Sequence, residues 1–355
     1  VLGYTVEGFK EKDNGVEVLL KDNPSLQADM VVLAIGVTPD TALAKEAGLE
    51  LGIKGSIVVN DRMETSVPDI YAAGDAVQVK HYVTGDDALI SLAGPANKQG
   101  RIIADNICGG DSRYLGSQGS SVIKVFDMTA ATTGINETNA KKSGLDVDTV
   151  ILSPMSHAGY YPGGKVMTMK VVFEKETYRL LGAQIIGYEG VDKRIDVLAT
   201  AIHAGLKATQ LKDLDLAYAP PYSSAKDPVN MAGFMIDNIA KGTLKQWHLE
   251  DMDKISKDKS VVLLDVRTVG EFNRGHMDGF RNIPVDELRE RINEIEKGKP
   301  VYLICQSGLR SYIASRILEG NGYETYNFSG GFRFYDAVVN DRALIERAYA
   351  CGMDY

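Results

Sequence analysis

The stretch Val301-Tyr302-Leu303-Ile304-Cys305-Gln306-Ser307-Gly308-Leu309-Arg310-Ser311 joins an apolar run to a helical one. Val301 to Ile304 reads as a short buried strand, and Arg310 to Asn321 has helical spacing. A strand-to-helix turn gathers backbone N–H groups into one concavity, and the macrodipole of the helix that follows adds partial positive charge there. A cysteine in that bowl, with Arg310 on its rim, is expected to ionise more readily than a free thiol, and a thiolate attacks sulfur or phosphorus. Four residues separate Cys305 from Arg310. That ring is tighter than the related loop of phosphatases, and it suits a persulfide sulfur better than a tetrahedral phosphate. This reading requires the thiol to be anionic near neutrality and open to solvent.

Around the loop, Val261 to Val266 and Glu324 to Phe328 read as further buried strands, and Val285 to Glu296 has helical spacing. Thr268 followed by Glu271 is a capping box for a helix after the first of these strands. Alternation of this kind predicts a parallel sheet with helices on both faces, with Cys305 beyond the carboxyl end of a strand, where such sheets place their sites.

The whole chain has 355 residues, enough for two or three domains. Its composition, 44% hydrophobic and 25% charged, is that of an ordinary globular protein, and the net charge of -9 argues against a nucleic-acid or anionic-membrane surface. No apolar run approaches the ~20 residues that cross a bilayer, and a cytoplasmic protein is expected. Three cysteines make no disulfide framework, and no Cys/His spacing suggests a metal site. Cys108, at an expected helix end, and Cys351 have no neighbouring base and read as bland.

Three segments separate: residues 1–117, 118–245 and 246–355, with Gly242 to Gln246 as the expected linker after a helix from Asp227 to Ala240. Lys226-Asp227-Pro228 reads as a cap followed by proline at the first helical position. In the first segment, Val1 to Leu20 predicts paired strands turning at Asp13-Asn14-Gly15, and Ala28 to Gly36 predicts a buried strand. Helices are expected from Thr41 to Ala47 and from about Gly94 to Ile107. In the middle segment, Val122 to Phe126, Val166 to Phe173 and Leu180 to Tyr188 suggest an antiparallel sheet, and Asp192 to Ala204 a packed helix. His157 and His203 are weak candidates, His203 reading as a core or interface residue.

Leu264-Asp265-Val266-Arg267, Glu271-Phe272, Gly275-His276-Met277-Asp278-Gly279 and Asn282-Ile283-Pro284 precede Cys305, and Gly330-Gly331 follows it. In that order they resemble the rhodanese sulfurtransferases. The resemblance implies a persulfide on Cys305, held by the backbone of Gln306, Ser307, Gly308 and Leu309 and by Arg310. His276 would orient rather than react, and Asp265 and Arg267 would form a framework pair.

Tyr71-Ala72-Ala73-Gly74-Asp75 and its surroundings resemble the pyridine nucleotide-disulfide oxidoreductases that use FAD. Small residues let a cofactor approach the backbone, and Asp75, expected at a strand's carboxyl end, offers an acceptor for a hydroxyl. The resemblance places Gly74 and Asp75 on the flavin's ribityl or phosphate end. It places Ala93, Pro95 and Asn97, in Leu92-Ala93-Gly94-Pro95-Ala96-Asn97, at the flavin ring with a helix N-terminus aimed at it. The family's Gly-x-Gly-x-x-Gly turns for FAD and NAD(P)H do not occur here, and the chain is expected to be the C-terminal portion of a longer protein.

Residues 118–245 resemble the same family's dimerisation domain, which implies a homodimer whose interface completes both sites. Two tyrosine-rich loops, His157 to Gly163 and Leu216 to Ser223, stand where glutathione-type reductases carry a His-Glu pair. This is similar to coenzyme A-disulfide reductases, and it implies that Tyr160 and Tyr218, with Tyr161 and Tyr222 in reserve, reach toward a partner's reactive cysteine. The fold class expected is therefore α/β: a partial FAD/NAD(P)-linked reductase fold, an α+β dimerisation domain with an antiparallel sheet, and a rhodanese-like α/β domain with a parallel sheet. The implied activity is reduction of coenzyme A disulfide, coenzyme A persulfide or polysulfide with FAD and NAD(P)H, coupled to sulfane-sulfur transfer. Two alternatives stand beside it: an NADH oxidase-like flavoenzyme carrying a rhodanese, or a dimeric thiosulfate-type sulfurtransferase.

Overall fold

The computed structural model describes residues 3–350. Asp13 and Asn14 reverse the chain between β1 (Val6–Lys12) and β2 (Gly15–Leu20), and β3 (Asn23–Ala28) completes a three-stranded antiparallel sheet. Gly15 has φ +144°, and a Cβ there would lie 2.5 Å from the Ala28 carbonyl oxygen, so this reversal requires glycine. The strand expected from Ala28 to Gly36 ends instead with β3. Met30, Val32, Leu33, Ile35 and Val37 are all exposed and belong to no strand. A continuous apolar run of this kind is stable as a strand only between neighbours with both faces covered, and none of the described strands pairs with it.

Helix α1 (Ala42–Glu46) leads to a small sheet in which β5 (Val77–Lys80) runs parallel to β4 (Ile57–Val58) and antiparallel to β6 (Asp87–Ala88). Helix α2 (Ala93–Ile107) packs beside it, and its end is pinned by Asn106, whose amide donates to the carbonyls of Arg62 and Ser112. Exposed Cys108 caps that helix, and Cys351 lies outside the described residues.

The middle of the chain is an antiparallel five-stranded sheet made of β7 (Ser121–Val125), β8 (Met128–Gly134), β9 (Val147–Leu152), β10 (Met167–Glu174) and β11 (Leu180–Gly187). Its spatial order is β7-β8-β11-β10-β9, with α3 (Glu137–Lys142) in the crossover from β8 to β9. Strands β10 and β11 carry the core residues Met167, Met169, Val171, Phe173, Leu181 and Ile185, against which α4 (Val191–His203) and α5 (Pro228–Ala240) lay their apolar faces. Asp227 caps α5 through Val229 N–H, with Pro228 at the first helical position.

A second five-stranded sheet follows: β12 (Gln246–Trp247), then helix α6 (Met252–Ile255), β13 (Val262–Asp265), helix α7 (Val269–Arg274), β14 (Arg281–Asn282), β15 (Val301–Ile304), helix α8 (Leu309–Glu319) and β16 (Thr325–Phe328), with α9 (Gly331–Ala350) last. Its order is β12-β16-β15-β13-β14 and every pairing is parallel. Thr268 and Glu271 form the capping box of α7. The helix expected from Val285 to Glu296 is replaced by turns and a short 3-10 segment at Ile292–Glu294.

The stretch Gly242 to Gln246 is no free linker. Leu244 is buried, Gln246 enters β12, and Trp247 packs at a tilt on Phe328 with ring centroids 4.4 Å apart. Four polar contacts fasten the parallel sheet to β9: Gln246 Nε2 to Thr149 O (2.8 Å) and to Asp148 Oδ2 (3.0 Å), His248 Nε2 with Asp148 Oδ1 (2.9 Å), and Ser329 Oγ accepting from Ile151 N–H (3.1 Å). Burial alone would lower the His248 pKa, but the hydrogen bond and charge of Asp148, with Glu250 and Asp251, outweigh it and raise it above 6.5. A histidine whose pKa rises on folding contributes stability that is complete below its unfolded value and disappears as pH climbs through its folded one. The stability difference between wild type and His248→Gln is therefore expected to be largest near about pH 6 and to shrink by about pH 9. Urea titrations at both pH values check this, and a pH-independent gap would refute the charged clasp.

Candidate functional site

Cys305 follows directly on β15, and α8 begins four residues later. The carbonyls of the turn are taken from outside the bowl: Cys305 O accepts from Phe332 N–H (2.8 Å), Gln306 O from Arg333 N–H (3.2 Å), and Gly308 O from Asn327 Nδ2 (3.1 Å). Its amides and the free first N–H groups of α8 are thereby left to the bowl. Gly308 N–H donates to Cys305 Sγ at 3.1 Å, and Ser311 Oγ lies 3.2 Å from the same sulfur. Two glycines make this possible. Gly308, the N-cap of α8, has φ +99°, and at Gly331 (φ +68°) a Cβ would lie 2.6 Å from Ser307 N.

One expectation about the loop is corrected. The thiol is not open: Cys305 is 1% exposed, because the core beneath β15 and the turn above it enclose the sulfur. The Arg310 guanidinium is paired. Both of its terminal nitrogens donate to Glu271, Nη1 to Oε2 and Nη2 to Oε1, each at 2.7 Å. This fork, helped by Thr268, holds the Glu271 carboxyl down at about 2, and the same bond raises Arg310. Gln306 and Leu309 stand on the rim, with Leu309 exposed.

The framework pair is as expected. Arg267, 1% exposed, is bound to Asp265 through Nε (2.9 Å) and Nη2 (2.6 Å) and stacks on Phe332 at 3.9 Å. It also donates to Gln306 Oε1 at 3.4 Å, tying the loop to α7 through Gly275 O. His276 turns back to Phe272, with Nδ1 3.1 Å from its carbonyl, and does not reach the sulfur.

The two tyrosine loops meet. Ala158 N–H donates to Ser223 O at 3.0 Å, and the hydroxyls of Tyr160 and Tyr218 lie 2.5 Å apart. Tyr218 has its pKa raised, first by that hydrogen bond, so it stays a neutral donor. A phenol has one hydrogen to give. If Tyr218 gives its hydrogen to Tyr160, the hydrogen of Tyr160, whose side chain is 76% exposed, is free to point outward. Tyr161 packs on the edge of buried His157, and Tyr222 is exposed.

Sequence reading missed what holds these loops. Arg194 of α4 is 1% exposed and donates to Ser156 O (2.9 Å) on one loop, to Tyr222 O (3.4 Å) and Ser223 Oγ (3.2 Å) on the other, and to Asp227 Oδ2 (3.0 Å). A lone arginine within an amphipathic helix gave a signal only through its position on the apolar side, beside Ile195 and Leu198.

In the first segment, Asp75 lies in a one-turn 3-10 segment, Gly74–Ala76, rather than at the end of a strand. Its side chain is exposed. Gly74 has φ +85° with open space where a Cβ would stand, and its N–H is fixed by Gln99 Oε1 at 2.8 Å. The start of α2 at Ala93 is exposed and has no side-chain cap. Asn97 turns its amide onto Ala93 O at 2.9 Å. Pro95 lines a cavity of about 570 Å³ that runs to His203, which is exposed and stacked on Tyr82 rather than in the core. An exposed carboxylate, an open glycine turn and an uncapped helix N-terminus fit a polar cofactor with hydroxyl and carbonyl oxygens.

A sulfur-seating loop on a parallel sheet, joined to an antiparallel domain whose neighbour carries an Ala-Ala-Gly-Asp turn, defines a two-part redox and sulfur-handling architecture. Residues 1–100 match the pyridine nucleotide-disulphide oxidoreductases, residues 120–228 their dimerisation domain, and residues 248–337 the rhodanese-like domain. The first two segments of the chain belong to the pyridine nucleotide-disulphide oxidoreductases, and the third is a rhodanese-like domain.

Among solved structures, reduced Bacillus anthracis CoADR-RHD is 46% identical with a TM-score of 0.91, over 96% of this chain and 60% of that one. An NAD-dependent persulfide reductase from A. fulgidus is 41% identical with a TM-score of 0.86, over 94% and 60%. The NAD(P)H sulfur oxidoreductase (CoA-dependent) of Pyrococcus furiosus is 40% identical over 214 residues, 60% of this chain and 48% of that protein. The chain spans about half the length of that curated relative. Among the described residues, no helix is long and apolar enough to cross a membrane.

Proposed function

We propose that the chain is the C-terminal part of a homodimeric FAD- and NAD(P)H-dependent reductase of coenzyme A disulfide, coenzyme A persulfide or polysulfide, in which Cys305 passes on sulfane sulfur. The observation that carries the sulfur-transfer reading is the seat of Cys305, a sulfur at a strand's carboxyl end faced by Gly308 N–H and Ser311 Oγ. The names of the similar reductases support the rest. FAD, held by Asp75, the Gly74 turn and the start of α2, would carry electrons from NAD(P)H to the disulfide.

At Cys305 the thiolate attacks the outer sulfur of a donor R–S–SH. The Cys305–S bond forms as the donor S–S bond breaks, RS⁻ leaves, and the protein keeps Cys–S–SH. Cys305 is 1% exposed, against the open thiol that this reading asks for, so the reading requires the loop to open when a donor arrives. Formation of thiocyanate from a sulfane donor and cyanide, compared between the full chain and its Cys305→Ala variant, tests this half.

Tyr160 and Tyr218 would donate to a thiolate leaving the partner's site. In the complete enzyme, Tyr160→Phe with Tyr218→Phe is expected to slow NAD(P)H-dependent coenzyme A-disulfide reduction by about 10²-fold, the low end for a positioned proton donor. Steady-state thiol release measures it, and unchanged turnover would remove the tyrosines from the reaction.

A further inference from the structure

Thiosulfate and an organic persulfide both offer a sulfane sulfur, but they differ in charge at the mouth of the bowl. Thiosulfate arrives as a dianion, and its sulfonate must stay at the rim while its sulfane sulfur reaches Cys305. At its reacting end an organic persulfide carries at most one charge, on the sulfur that enters, and any phosphates it bears stay far outside the mouth. The described arginine side chains that reach the loop are Arg267 and Arg310, and each is bound by a carboxylate. Arg267 is spent on buried Asp265. Each terminal nitrogen of Arg310 gives one N–H to Glu271, whose carboxylate balances its charge and is held from the other side by Thr268 N–H and Oγ1 at 3.0 and 2.8 Å. Arg333 meets the loop through its backbone N–H. An incoming donor then meets Gly308 N–H, Ser311 Oγ and the α8 N-terminus at the floor, and on the rim exposed Leu309 and an Arg310 whose charge Glu271 balances. That set suits one negative charge on sulfur with an apolar stem above it.

We propose that Glu271, by balancing the charge of Arg310 at the rim, makes the bowl selective for organic persulfides over thiosulfate. The inference rests on Cys305 being the sulfur carrier. With thiosulfate the same attack would form Cys305–S–S⁻ and release sulfite, so the two donors differ in charge and not in bond-making.

Glu271→Gln is the test, because glutamine at this position keeps the capping box with Thr268 while removing the charge and one of the two acceptors that face Arg310. Sulfur transfer to cyanide is measured in the full chain from thiosulfate and from coenzyme A persulfide, in wild type, Glu271→Gln and Cys305→Ala. Wild type is expected to favour the persulfide. In Glu271→Gln the ratio of kcat/KM for thiosulfate to that for persulfide is expected to rise about tenfold, within the range that focusing by a freed charge gives. The thiosulfate rate of the variant should also fall as salt is raised, a dependence that a packing defect would not create. A wild type that uses thiosulfate as well as persulfide, or a Glu271→Gln ratio that does not move, overturns the selectivity. Full activity in Cys305→Ala would instead overturn the underlying assignment, so the two failures are distinct.

Discussion

Replacing Cys305 with alanine is expected to abolish sulfane-sulfur transfer, with thiocyanate formation falling by at least about 10³-fold, the order that loss of a nucleophile costs. Three features of the structure make the loss specific. The sulfur occupies the one position that Gly308 N–H and Ser311 Oγ both address. The alanine methyl replaces a buried side chain without adding a polar group, so the fold should lose only the small packing energy of one sulfur. The turn is held by Phe332 and Arg333 N–H groups that do not depend on the side chain. Near-normal urea stability with a dead transferase is thus the expected pair of results. Retained transfer would mean that another sulfur does the chemistry, and among the described residues the other cysteine is exposed Cys108 on α2.

Arg194→Met should be the most damaging change to the fold. It strands Asp227, 3% exposed, without its guanidinium, and removing one partner of a buried ion pair typically costs about 3–5 kcal/mol. Ser223 Oγ, 2.6 Å from Asp227, and Lys193 Nζ, 4.0 Å from it, lessen the loss but do not replace the buried guanidinium. The same substitution frees Ser156 O and Tyr222 O, so the Tyr160 and Tyr218 loops lose their common anchor. Reductase turnover of the complete enzyme should therefore fall even at temperatures where the variant stays folded, while transfer at Cys305 persists. Urea denaturation and the two activities measured together decide it. A loss below about 1 kcal/mol, the scale of a surface ion pair, would show that the cluster is not the keystone described.

The residues whose signals are local were readable in advance. Thr268 with Glu271, and Asp227 with Pro228, announce helix starts by side-chain chemistry that acts within one turn. The Cys305 loop announces itself by a strand, a glycine and a helix in succession. The failures are all cases where a distant partner decides. Val285, Leu288, Ile292 and Ile295 have helical spacing and do face the core, yet the carbonyls of Ile292 and Ile295 accept from Tyr323 Oη (3.2 and 3.0 Å), and that of Glu294 accepts from Arg281. These bonds anchor the end of the segment, while earlier turns close through i+3 bonds, Glu287 N–H to Pro284 O and Leu288 N–H to Val285 O. Strand β8, threonine- and alanine-rich, has no apolar alternation and exists because β7 and β11 flank it. The Glu271–Arg310 fork and the Arg194 cluster bridge residues 39 and 33 positions apart, beyond the reach of any window of sequence.

The tight passage from Lys241 to Trp247, with Leu244 inside and Gln246 already in a sheet, leaves no slack between the antiparallel sheet and the parallel one. On the proposed reading, sulfur passing between Cys305 and the tyrosine loops would then need a small diffusible thiol as its carrier, and the coupling would dilute as that carrier exchanged with bulk solvent.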